Sequence, residues 1–162
     1  MDNMINTDQR RLCKISWKYI NQGISEFIDF IEYTGIKFDR IVAIKRGGWI
    51  PGVMLSNKLD IPLIDSTYLE YNLINDQNIL IVDDIFDTGC TINIYYNIIK
   101  DMNPHDYFVY TLFYRHPVNL TRKQEENILK MEDKYGLRSV AIPHYRNYAA
   151  RNYWIVFPWE DI

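Results

Sequence analysis

An α/β fold with a mostly parallel central sheet flanked by helices is what this 162-residue sequence predicts. Three observations point there. Short apolar runs bounded by turn residues recur at 41–44, 61–64, 79–82, 107–113, 138–142 and 153–157, and such runs suit strands buried on both faces. Segments with helical apolar spacing lie between several of them, and strand-helix alternation favours a parallel sheet with right-handed crossovers. The 48% hydrophobic content is enough for one sizeable core, and the length fits one domain spanning 1–162.

In chain order, Leu12, Ile15, Tyr19, Ile24, Phe27, Ile28 and Ile31 approximate one face of an amphipathic helix over residues 7–34, which would cover the sheet or a partner subunit. The strand at 41–44 ends in Lys45-Arg46-Gly47-Gly48, with Pro51 placed to open the next helix. The run Ile79–Thr91 reads ILIVDDIFDTGCT, in which an apolar strand delivers Asp83 and Asp84 to its carboxyl end. Ile92, Tyr95 and Ile99 then keep helical spacing. The strand at 107–113 leads into Tyr114, Arg115 and His116, and Thr121 with Gln124 forms a capping-box start for a charged helix reaching about Tyr135, which Gly136 would stop. The last strand, from Tyr153, is ended by Pro158.

Two turns carry the chemistry. In open α/β sheets ligands bind outside the carboxyl ends of the strands, where a helix amino terminus offers unpaired N–H groups to an anion. Asp87, Thr88, Gly89, Cys90 and Thr91 fit a phosphate cradle there, with Cys90 as a small space-filler. Beside that cradle, the Asp83-Asp84 pair can hold two sugar hydroxyls, directly or through a hard cation such as magnesium. The implied ligand is a phosphorylated ribose. In the upstream turn, Gly47 and Gly48 can take backbone angles closed to other residues and let amides approach a ligand, while Lys45 and Arg46 supply positive charge.

The Ile79–Thr91 segment resembles the phosphoribosyl pyrophosphate (PRPP) signature of type I phosphoribosyltransferases: a hydrophobic run, two acids, two apolar residues, then Asp-Thr-Gly-x-Thr. RIVAIKRGGWIP at 40–51 is similar to that family's pyrophosphate loop. The likeness spans roughly 38–160, with a core at about 38–115 and a nucleobase part or small hood built from about 116–162 and the amino-terminal helix. In its final third it is similar to the 6-oxopurine branch, the short bacterial xanthine-guanine type. The resemblance implies that Asp83 and Asp84 bind ribose and seat Mg2+, partly through water. It further implies that Asp87 handles the purine N7 proton, that Asp87–Thr91 hold the 5-phosphate and that Lys45–Gly48 hold pyrophosphate. Trp154 would stack on the purine and the Ile155 backbone would meet its edge. Arg115 stands where the family has lysine and would donate to the exocyclic O6; its planar fork differs in shape from an ammonium. The expected partners are PRPP and a purine base, with the chain in a homo-oligomer. A second departure is the hood interval 65–78, which is short and holds no Lys or Arg, although closure normally excludes water.

Other classes find less support. Neither G-x-x-x-x-G-K-[ST] nor G-x-G-x-x-G occurs, which removes the main support for a kinase or dehydrogenase. The net charge of −3 argues against general nucleic-acid binding, although HYRNYAARNYW at 144–154 interleaves bases with aromatics. Cys13 and Cys90 form no paired spacing, and His105, His116 and His144 are dispersed, so neither a disulfide framework nor a zinc site is expected. No secretory signal or membrane span is legible, and a reduced cytoplasm is the expected setting. Two alternatives stay open: a PRPP-sensing regulator on the same fold, and a transferase for another nucleobase such as adenine or uracil.

Overall fold

The computed structural model describes residues 11–87, 89–114 and 153–160. In chain order these form β1 (Arg11–Lys14), α1 (Trp17–Thr34), β2 (Arg40–Ala43), α2 (Trp49–Leu59), β3 (Leu63–Asp65), a 3-10 turn (Ser66–Tyr68), α3 (Tyr71–Ile74), β4 (Asn78–Phe86), α4 (Cys90–Asp101), β5 (Asp106–Tyr114) and β6 (Tyr153–Val156). The central sheet has the order β3-β2-β4-β5 with every neighbouring pair parallel, as the alternation predicts.

Each face of that sheet is closed by a helical layer. Ile20, Ile24 and Phe27 of α1 and Leu55 of α2 pack with Ile41, Leu80, Val82 and Tyr110. On the opposite face, Ile92, Tyr96 and Ile99 of α4 pack with Val42, Ile79, Ile81 and Val109. The period-2 alternation of the strands thus sorts their residues between two cores, which is why the strands read as continuous apolar runs. Phe27 and Tyr110 stack with ring centres 4.0 Å apart, and the Tyr110 hydroxyl donates to the Gly23 carbonyl oxygen at 3.1 Å. No described helix is long and apolar enough to cross a membrane.

Three sequence expectations need correction. The helix expected over 7–34 begins only at Trp17, because Arg11–Lys14 pairs in parallel with Tyr153–Val156, Leu12 opposite Trp154 and Cys13 opposite Ile155. Inter-strand hydrogen bonds outweigh the helical spacing of Leu12 and Ile15. For the same reason the strand at 153–156 does not complete the central sheet but forms a separate two-stranded sheet with β1. Pro51 does not open α2; the helix starts two residues earlier, with Gly48 as its amino-terminal cap. The strand expected at 138–142 and the helix at 121–135 lie outside the described residues.

Candidate active site

Sheet topology places the two predicted turns together. From β2 the chain passes through α2 to β3 on one side; from β4 it passes through α4 to β5 on the other. The carboxyl ends of β2 and β4 are therefore the point where the winding reverses, the usual crevice of such sheets. Here β2 stops pairing at Ala43 opposite Val82, followed by a last bond from the Ile44 N–H to the Val82 carbonyl oxygen at 2.9 Å. On the other side β4 continues beside β5 as far as Phe86 opposite Tyr114. Asp83 and Asp84 lie in this one-sided extension, inside the strand rather than beyond its end, and the Lys45–Gly48 turn fills the place β2 vacates.

The contact between turn and strand is intimate. A methyl group on Gly47 would overlap the Asp84 carboxylate, and one on Gly48 would overlap the Val82 carbonyl oxygen. Close approach, not unusual angles, is what these glycines supply: Gly48 has φ −69°, and among the described glycines only Gly35 and Gly89 have positive φ. The Lys45–Arg46 peptide bond is cis.

Carboxyl groups crowd this junction. Asp83 is 7% exposed. Burial, reinforced by the neighbouring Asp84 charge, pushes its carboxyl up to about 8, although the Asp84 and Gly48 N–H groups pull the other way. The Asp84 N–H donates to Asp83 Oδ1 at 2.9 Å. Burial also raises Asp84, to about 6, and Glu160 adds to that rise while the Ile85 N–H opposes it. Glu160 is a residue the sequence reading passed over. Its carboxylate accepts from the Phe157 N–H at 2.8 Å, a local turn that brings its charge toward the pair. Nothing in the motif pattern signals that approach.

The first turn of α4 forms the second half of the site. Gly89, buried and at φ 74°, caps the helix, and the first helical bond runs from the Asn93 N–H to the Gly89 carbonyl oxygen at 2.8 Å. The N–H groups of Cys90, Thr91 and Ile92 precede that bond, where helices leave donors for an anion. Asp83, Phe86, Asp87, Gly89 and Thr91 line a small open hollow at this point. Asp87 and Thr91 are exposed beside it. Cys90 is exposed too, so it is not the space-filler expected from sequence; the first residue of α4 faces outward. Thr88 lies outside the described residues.

Lys45 sits differently from a free pyrophosphate ligand. Its Nζ pairs with Asp65 Oδ2 at 2.5 Å and stands 5.7 Å from the Trp49 ring centre, while its N–H donates to the buried Ser66 hydroxyl at 3.2 Å. The pairing raises the Lys45 ammonium and lowers Asp65, which also accepts from the Thr67 N–H and hydroxyl. Lys45 thus straps the turn to the end of β3, and Arg46 beside it is also exposed.

For the nucleobase the structure describes two of three expected residues. Trp154 is 43% exposed, beside Leu12 at 53%, whereas Ile155 is buried in the α1-side core. Phe157 packs edge-on against Phe113 at 5.5 Å, so β6 sits over the carboxyl end of β5. Arg115 lies outside the described residues.

No protein-family profile matches the chain. A xanthine-guanine phosphoribosyltransferase of Chromohalobacter salexigens is 27% identical over 160 residues, covering 90% of this chain and 82% of that protein. Among solved structures, a purine phosphoribosyltransferase of Pyrococcus horikoshii has a TM-score of 0.63 at 24% identity, covering 93% of this chain and 95% of its own. A hypothetical protein of Neisseria gonorrhoeae with bound ppGpp has a TM-score of 0.66 at 17% identity, covering 94% and 91%. With its two turns meeting at the switch point, the chain shares the fold of the purine phosphoribosyltransferase and resembles the xanthine-guanine protein along most of its length, a likeness to the type I phosphoribosyltransferases and their 6-oxopurine branch.

Proposed function

We propose that the protein transfers the 5-phosphoribosyl group from PRPP to a 6-oxopurine, whether xanthine, guanine or hypoxanthine, releasing pyrophosphate and a nucleoside monophosphate. One observation supports this reading most: the Gly47 backbone lies directly against the Asp84 carboxylate, so the Lys45–Gly48 turn and the Asp83–Asp84 pair adjoin. The likeness to a xanthine-guanine phosphoribosyltransferase supports the choice of substrate class.

The donor set fits magnesium. Asp83, buried, and Asp84, half-buried beside it, offer hard oxygen ligands side by side. Magnesium is commonly held by one or two carboxylates together with substrate phosphates. Asp83 and Asp84 would hold it, and when bound it would offset charge on the pyrophosphate.

The chain's own residues divide the remaining work. Asp83 and Asp84 accept from the ribose hydroxyls, and the first-turn amides of α4 with Thr88, Thr91 and Asp87 cradle the 5-phosphate. Arg46 and the Gly47–Gly48 backbone receive the departing pyrophosphate, whose growing charge favours preorganised donors. Lys45 would join them by exchanging Asp65 for the leaving group. As the purine N9 bonds to C1, Asp87, exposed at the rim of the hollow, accepts the N7 proton, a step requiring only hydrogen-bond reach. Trp154 stacks on the base, the Ile155 backbone meets its edge and Arg115 donates to O6. A cytoplasmic setting and a homo-oligomer go with this reading.

The test is incubation with magnesium, PRPP and xanthine, guanine, hypoxanthine or adenine in turn, with separation of the products. Nucleotide from the 6-oxopurines and not from adenine is expected. A second reading, a sensor of phosphorylated ribose without turnover, takes support from the ppGpp bound to the Neisseria protein. Saturable PRPP binding with no product from any base would favour it.

A further inference from the structure

Thr111, toward the carboxyl end of β5, is wholly buried, and among the described residues its hydroxyl has no hydrogen-bond partner. Buried polar side chains are nearly always satisfied, and an orphan calls for an explanation. In the parallel β4–β5 register Thr111 is the direct partner of Asp83. Two residues earlier on each strand, Val109 and Ile81 both belong to the α4-side core. Alternation therefore puts Thr111 and Asp83 on that same face, side by side beneath the first turn of α4. Asp83 forms part of the hollow there, together with Gly89 and Thr91.

We infer that Thr111 is a positioning residue for Asp83, its hydroxyl donating to the Asp83 carboxylate when a phosphorylated ribose draws that carboxylate into its bound orientation. The inference rests on the function proposed above. An ionised carboxylate has room for about four donors. The Asp84 N–H already occupies one position on Oδ1. A donor from Thr111 would fix the carboxylate plane from the sheet side and leave the outward lone pairs for sugar hydroxyls. Among the described residues nothing in the unliganded fold returns the desolvation of that hydroxyl, which suits a residue kept for the complex.

Thr111→Val, nearly isosteric but lacking the hydroxyl, and Thr111→Ser, which keeps the hydroxyl but loses the methyl, separate the two roles. Thermal midpoints are measured without ligand, and KM for PRPP and kcat in the nucleotide-forming assay. Thr111→Val should melt at or above the wild-type temperature, raise KM for PRPP about tenfold, the loss of one hydrogen bond to a charged group, and leave kcat within about threefold. Thr111→Ser should restore KM despite a lower melting temperature. A Thr111→Val protein with wild-type KM overturns the inference, and so does one that melts lower, since its hydroxyl would then serve the unliganded fold. A wild-type protein that neither binds nor uses PRPP removes the proposed function and this role with it. A wild type that uses PRPP beside an unaffected Thr111→Val removes only the role of Thr111.

Discussion

At pH 8 and without magnesium, Asp83→Asn should make the protein more stable and less able to use PRPP. The carboxyl is 7% exposed and is pushed by burial, then by Asp84, from 3.8 up to about 8. Between those values the native state holds a proton that the unfolded chain has released, so the native state binds more protons and stability falls as pH rises. The contribution is fully present below about pH 4 and is lost as pH climbs through about 8. At about 1.4 kcal/mol per pH unit, roughly four units set a ceiling of about 6 kcal/mol. Relaxation around the ionised group reduces that to ~2–4 kcal/mol. Asparagine keeps the shape and an oxygen for the Asp84 N–H but never ionises. Denaturant titrations of both proteins at pH 5 and pH 8 measure the difference. The variant should gain ~2 kcal/mol or more over wild type at pH 8 and little at pH 5, with PRPP turnover largely lost at both. Asp84, raised to about 6, also falls in this window, so the difference between the two proteins, not the wild-type slope alone, reports Asp83; Asp65 is lowered and Lys45 raised, and both titrate outside it. Wild-type stability that stays flat from pH 5 to 8, or a variant weaker than wild type at pH 8, would refute the reasoning.

Three further substitutions test separate parts. Gly48→Ala puts a methyl into the Val82 carbonyl oxygen and should cost ~3 kcal/mol by denaturant titration, as overpacking against backbone does; no loss would mean the turn can move away from β4. Asp87→Asn should lower kcat by on the order of 10²-fold while changing KM for PRPP less, if it takes the N7 proton, and unchanged kcat would end that role. Tyr110→Phe leaves the Gly23 carbonyl without the hydroxyl that reaches it at 3.1 Å and should cost ~1 kcal/mol with activity unchanged.

What the sequence disclosed, and what it hid, follows from the range of the forces involved. The strands of the central sheet, above all β2 and β4, were legible because their centres are buried on both faces and must be apolar there. Asp83, Asp84 and Asp87 stood out because hydrophilic residues interrupt such a run only where something requires them. The pairing of β1 with β6 was hidden: it joins segments some 140 residues apart in sequence, and the four residues from Arg11 to Lys14 carry a helical spacing as readily as a strand's. The approach of Glu160 to Asp84 and the partnership of Thr111 with Asp83 were hidden for the same reason, being set by strand register and a tight local turn. At Gly47 and Gly48 the expected freedom of angle is not used. A pair of glycines signals freedom of backbone angle, whereas here the missing side chains make room for an acid and a carbonyl on another strand.

The most direct test of the shared cleft is a crystal structure of the protein with magnesium and PRPP. The ribose hydroxyls should lie on Asp83 and Asp84, the 5-phosphate at the first turn of α4 from Gly89, and the pyrophosphate against Arg46, Gly47 and Gly48. PRPP bound anywhere that does not bridge the acid pair and the paired glycines would contradict the account.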